Sequence, residues 1–144
     1  MMKILLEKLE LQTRRSEELI DITDKVEAVV KKSKIKTGAV YIMTMHTSSG
    51  ILVTEGLECL EKDVLNNLNS LAPESGNYYH NRYLDIDGRV AFNAPAHLKS
   101  VLSGYFAYFP VENSKLVKGS RQRIYFAEYD GPLARSCCVQ IIGE

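Results

Sequence analysis

The sequence predicts a single α+β domain in which antiparallel β-sheets carry two to three helices. Three observations predict it. The chain has 144 residues, the size of one domain. Segments of period two, rich in β-branched and aromatic residues, recur along it and are separated by Gly, Asn, Asp and Pro turns. Two stretches with helical spacing and one short helix that opens on a proline interrupt that pattern. No repeat, low-complexity tract or linker divides the chain, so residues 1–144 read as one domain.

The elements follow in order. Leu5, Leu9 and Leu11 share one face while Lys8, Glu10 and Gln12 share the other, as in a half-buried strand. Residues 14–17 read as a turn and residues 18–22 as a returning strand. Asp21 or Thr23 then caps a helix reaching about Lys32, with Ile22, Val26, Val29 and Val30 as its apolar stripe. Lys31 and Lys32 suit its negative C-terminal end. Residues 39–46 form a strand, Ser48-Ser49-Gly50 interrupts it, and residues 51–54 continue extended. Leu57, Leu60, Val64, Leu68 and Leu71 predict an amphipathic helix over about 55–71. Residues 73–88, rich in Gly and Tyr, have no helical period and read as a functional loop. Asn93-Ala94-Pro95 opens a short helix that ends at Gly104. Residues 105–112, 123–129 and 136–142 read as three further strands.

Composition bounds the function. Hydrophobic residues make up 45% and charged residues 25%, an ordinary globular balance. A domain of this size buries roughly 68–70% of its unfolded surface, so it needs no disulfide or metal merely to fold. Lys plus Arg and Asp plus Glu number 18 each, giving zero net charge. No basic stripe invites nucleic acid, and near-neutrality favours self-association. Cys59, Cys137 and Cys138 are odd in number and lack a CxxC spacing, so they read as buried, reduced thiols. Cys137 and Cys138, adjacent in a strand, point to opposite faces. The apolar run before Glu7 and Lys8 is too short for a signal segment, and no run approaches a membrane span. The expected location is cytoplasmic, with no membrane partner.

Several residues could carry chemistry. His46, His80 and His97 lack metal-motif spacing, yet each falls at an element end or in a loop, where sites tend to be built. Thr47, Ser48 and Ser49 offer three hydroxyls and loop amides that can hold a phosphate, although a polar β-turn explains them as well. Ser120 and Gln122, with Arg121 and Arg123, form a second candidate anion pocket or else a solvated hairpin turn. Glu55 and Asp63 stand two turns apart on one face of the predicted second helix. Glu128 follows Phe126 and Ala127 in a strand. If it faces inward it needs a cation, metal or imidazole; otherwise strand alternation turns it to solvent.

Taken in order, these segments resemble the YjbQ-like family, also called secondary thiamine-phosphate synthases, over nearly the whole chain. The resemblance rests on His46-Thr47-Ser48-Ser49-Gly50 with Val53-Thr54-Glu55, on Gly76-Asn77-Tyr78-Tyr79-His80 and on Ala96-His97-Leu98-Lys99-Ser100 with Gly104. It continues through Pro110-Val111-Glu112-Asn113, Gly119 with Gln122-Arg123-Ile124-Tyr125, Glu128, and the closing Gln140-Ile141-Ile142-Gly143-Glu144. Where many members have Thr-Trp-Gln-Gly, this chain has Ser120-Arg121-Gln122-Arg123, and Thr54 replaces the usual Asn. The resemblance implies a homotrimer with a histidine pocket near the subunit interface. In that pocket His46, His80 and His97 would hold a divalent metal ion, Zn or Mg, or a phosphate. It implies Glu55, Asp63 and Glu128 as catalytic acids or bases, with Thr47, Ser48, Ser49, Ser120 and Gln122 on a small phosphorylated substrate. The implied reaction joins hydroxymethylpyrimidine pyrophosphate to thiazole phosphate. Alternatives are a metal-dependent hydrolase or transferase of another small phosphate ester, and a non-catalytic trimeric ligand-binding protein.

Overall fold

A computed structural model describes residues 1–82 and 92–144. The strands are β1 (Lys3–Gln12), β2 (Glu18–Asp21), β3 (Thr37–Thr44), β4 (Ser49–Glu55), β5 (Phe106–Glu112), β6 (Lys115–Leu116), β7 (Gln122–Glu128) and β8 (Ala134–Gly143). Among the described residues the α-helices are α1 (Thr23–Ser33), α2 (Glu58–Leu71) and α3 (Ala94–Ser103), and a 3-10 turn spans His80–Arg82. The α+β prediction holds. Of the predicted loop over 73–88, residues 83–88 lie outside the described residues.

The strands form two antiparallel sheets. A five-stranded sheet has the order β1-β8-β3-β5-β6 and a three-stranded sheet the order β2-β7-β4. Side-chain alternation explains the layering. Leu11, Val40, Ile42, Phe109, Val139 and Ile141 point from the large sheet into the main core. There they meet Val26, Val29 and Val30 of α1 and Ile51, Ile124 and Phe126 of the small sheet. The opposite face of the small sheet supplies Ala127 and buries Leu52 against Leu68 and Val64 of α2 and Ala96 of α3. The order is therefore large sheet, small sheet, helix pair, with α1 closing the main core.

The outer face of the large sheet has no layer over it among the described residues. It presents Ile4 at 66% exposure and Leu6 at 58%, together with Tyr41, Phe106 and Tyr108. The register aligns Leu6 with Gln140, Tyr41 and Tyr108 across four strands. Such an apolar surface usually marks an interaction site.

Three expectations need correction. The second helix begins at Glu58, not Glu55: β4 runs through Glu55, and Leu57 is still extended at the N-cap. Glu55 and Asp63 therefore share no helix face. The cysteines are all free, but Cys59 is exposed and Cys138 half-buried; only Cys137 is fully buried. At the first helix Ile22 takes the N-cap place, while the Asp21 carboxylate accepts the Thr23 amide at 2.9 Å.

A histidine cleft at the foot of the third helix

His97 lies in the first turn of α3, which Pro95 opens with its fixed φ and missing N–H. Its Nδ1–H donates to the Thr47 carbonyl in the β3–β4 turn, at 2.9 Å. That bond assigns the neutral tautomer and puts the lone pair on Nε2. His80 opens the 3-10 turn. Its ring meets that of His97 edge to face, with centroids 5.2 Å apart. The His80 tautomer follows from a chain of partners. The Asp130 carboxylate can only accept, so it fixes the Asn93 amide with Nδ2 donating, at 2.9 Å. Asn93 Oδ1 then faces His80, and Nε2–H donates to it at 3.0 Å. The lone pair of His80 accordingly lies on Nδ1. Thr47, Tyr78, Tyr79 and Leu98 join the two rings around a cleft of about 550 Å³.

The β3–β4 turn is braced from behind. Arg135 donates through Nη2 to the Ser48 hydroxyl at 2.9 Å, and the Tyr129 amide donates to the Ser48 carbonyl. Ser49 exchanges a hydroxyl bond with Thr44, and its carbonyl accepts the Ser100 hydroxyl. Of the three hydroxyls expected on substrate, Ser48 and Ser49 are buried and bonded within the fold; only Thr47 lines the cleft.

Glu128 is wholly buried, and the cation it needs is Arg135. Arg135 Nε and Nη2 grip both carboxylate oxygens, the Thr13 hydroxyl donates to Oε2, and the Asp130 amide donates to Oε1. Burial alone would raise its pKa, but these donors hold it below the ordinary carboxylate value. A carboxylate so engaged has no lone pair left for a substrate proton. Glu128 positions the turn; it does not reach the cleft.

The remaining candidates lie elsewhere. Glu55 accepts from Arg121 at 3.0 Å on the surface. Arg123 pairs with Asp21 and Asp24 at 2.7 and 3.2 Å. Gln122 Oε1 accepts the Gly119 amide, and Ser120 is exposed on the same turn. This segment is thus not a hairpin but a turn that carries the chain from β6 of the large sheet to β7 of the small one, and its arginines already have carboxylate partners. Asp63 is exposed on α2.

His46 does not join the other two rings in a ligand group. Its Nε2 accepts the Ser136 amide at 3.0 Å, so the neutral ring carries its proton on Nδ1. Burial pushes its pKa down, and the nearby Arg135 and Lys8 charges add to that while Glu128 opposes it. Among the described residues no three or more His, Cys, Asp or Glu side chains are grouped to hold a metal ion. His97 and His80 each fit a ligand role, because a metal-binding imidazole usually donates its second N–H to a carbonyl or other acceptor. Two nitrogens make a partial site, which water, substrate or another copy of the chain would have to complete.

Sequence reasoning missed Arg135, Asn93 and Asp130. Arg135 had a signal: it shares strand parity with Cys137, Val139 and Ile141, all buried. A cation on that face demands a buried anion.

Fold and cleft together define a class: small α+β proteins in which two antiparallel sheets present a histidine-lined cleft at the start of a helix. Residues 7–144 match the family described as UPF0047 protein YjbQ-like, and the chain belongs to that family. It is 34% identical over 140 residues to the UPF0047 protein YugU of Bacillus subtilis, covering 96% of this chain and 100% of that one. It is 38% identical over 134 residues to a UPF0047 protein of Archaeoglobus fulgidus, covering 93% and 98%. The crystal structure of a YbjQ-like protein of unknown function from Sulfolobus solfataricus P2 superposes with a TM-score of 0.92 at 37% identity, over 100% of both chains. A YjbQ/UPF0047 family protein of Clostridium acetobutylicum gives 0.84 at 33%, covering 94% and 98%. No helix among the described residues is long and apolar enough to cross a membrane.

Proposed function

We propose that the His80–His97 cleft binds a small phosphorylated heteroaromatic molecule and that the chain is a transferase of the thiamine-phosphate synthase type. The observation that carries this reading is the pair of oriented imidazoles, with lone pairs assigned by Thr47 and by Asn93–Asp130, beside Tyr78 and Tyr79. Aromatic side chains suit a flat ring. In the reaction the thiazole nitrogen forms a bond to the methylene carbon of hydroxymethylpyrimidine pyrophosphate. The carbon–oxygen bond to pyrophosphate breaks, and its electron pair leaves with the oxygen. A divalent ion on His80 and His97 would neutralise the departing charge. The residues themselves orient the rings, and the Thr47 hydroxyl offers a donor to a phosphate oxygen. We expect turnover of the two substrates to thiamine phosphate, dependent on a divalent ion, and a loss of about 100-fold or more in His97→Ala, the order expected when one transition-state stabiliser is removed. Pyrophosphate calorimetry with and without chelator at several pH values supplies a readout apart from turnover. A metal-held anion loses affinity as pH falls, because protons compete for the imidazoles. Binding that strengthens at low pH and ignores chelator would remove the metal from this reading. Absence of both turnover and binding would favour the non-catalytic alternative.

Self-association belongs to the same proposal. The uncovered apolar face of the large sheet supports it, and a homotrimer would bring a second copy near a site that has only two ligands of its own among the described residues.

A further inference from the structure

Sulfur is concentrated in one place on this molecule. Of four methionines and three cysteines, Met43, Met45 and Cys138 fall on one strip of two neighbouring strands. Met43 and Cys138 are direct cross-strand partners in the β3–β8 register, so their side chains share a face and stand close together. Met45, two residues beyond Met43 on the same side, places its Sδ 3.4 Å from Cys138 Sγ. Two sulfurs each about 2.3 Å from a common ion lie within roughly 4.6 Å of each other, and this pair already satisfies that limit.

The usual role of methionine does not account for the strip. Methionine fills irregular gaps in cores. Met45 is 54% exposed and fills none. Cys138 is a free thiol at the outer surface, facing away from the core that encloses Cys137. Two hard oxygen groups lie on this side of the sheet: the Ser136 hydroxyl is 3.7 Å from Met45 Sδ, and Glu10 is the cross-strand partner of Ser136 on β1. Lys8, the partner of Cys138 on that strand, would repel a divalent ion more than a monovalent one. Thiolate and thioether ligands select soft ions.

We propose that Cys138, Met45 and Met43, at the Lys8–Glu10 end of the outer face and beyond the Leu6–Tyr41–Tyr108 row, form a binding site for a soft monovalent metal ion, Cu(I) in the first instance, distinct from the His80–His97 cleft. The ion is coordinated by the Cys138 thiolate, which releases its proton on binding, and by the two thioethers. No change in oxidation state is required.

The test is a Cu(I) titration of the reduced, intact protein under anaerobic conditions, in competition with a chromogenic Cu(I) chelator. One equivalent is retained per chain. Cys138→Ser and Met45→Leu each weaken retention roughly tenfold or more. Cys59→Ser leaves it unchanged. Met45→Leu at an exposed position keeps the test available if Cys138→Ser disturbs the sheet, which circular dichroism reads directly. Failure to retain Cu(I) against the chelator overturns the proposal, as does retention that survives Met45→Leu in full or is lost with Cys59→Ser.

Discussion

Replacing Glu128 with Gln removes one charge from a pocket that holds two. Arg135 then stays buried without its counter-ion, and breaking such a pair costs about 3–5 kcal/mol. We expect Glu128→Gln to lower unfolding stability at pH 7 by that amount, as measured by urea denaturation. The pH response separates this from a packing effect. Glu128 has a folded pKa below its unfolded value, so its contribution is fully present above about 4.3 and is lost as pH falls through the lower folded value. The wild-type protein should therefore lose stability over that acid range, and the variant should lose less. An acid limb of equal slope in both proteins would count against the pair as its origin. The same substitution reaches the cleft indirectly, through Arg135 and Ser48 and through the Asp130 amide on the Asn93–His80 side, so it should disturb binding less than His97→Ala does.

At the level of elements, Gly38 and its neighbour Gly143 are the tightest constraints on the large sheet. A Cβ placed on Gly38 would lie 2.1 Å from the Ile142 carbonyl oxygen, in the neighbouring strand. Gly38→Ala should push β3 from β8 and destabilise the domain by about 1–3 kcal/mol, the range for overpacking. Hydrogen exchange should show the loss first in the β3–β8 ladder; unchanged protection there would refute the close approach. Period-two alternation makes β1 legible in the amino-acid sequence, and Pro95 and the Val26–Val30 stripe do the same for α3 and α1. The start of α2 is misleading in sequence because Leu57 keeps helical spacing with Leu60 while its backbone is still extended. The meeting of His80 with His97 cannot be read from spacing, since it depends on Thr47 and Asn93 in segments far apart along the chain. Glu128 is legible as a buried charge in want of a partner, but the identity of that partner is not. Its cation arrives across a turn that carries the chain from one sheet to the other.

For the molecule as a whole, the uncovered sheet face sets the expected assembly. Tyr108 is 50% exposed and aligns with Tyr41, their rings 5.5 Å apart. A charge introduced at Tyr108 or Leu6 would be buried unpaired in any interface built on this face. We expect wild-type protein to scatter light as a trimer at micromolar concentration, and Tyr108→Glu to shift it toward monomer with the fold intact by circular dichroism. A monomeric wild type would refute the trimer, and a trimeric Tyr108→Glu would place the interface elsewhere. The strand order carries a different consequence. β8 lies between β1 and β3, and Lys3 is paired opposite Gly143. The large sheet therefore cannot close until segments from opposite ends of the chain have found one another. The search entropy of that encounter precedes most of the contacts that reward it. Time, rather than stability, is what this topology demands: folding should run on the slow, millisecond-to-second scale of non-local sheets. Until β8 docks, the edges of β1 and β3 remain open to neighbouring chains.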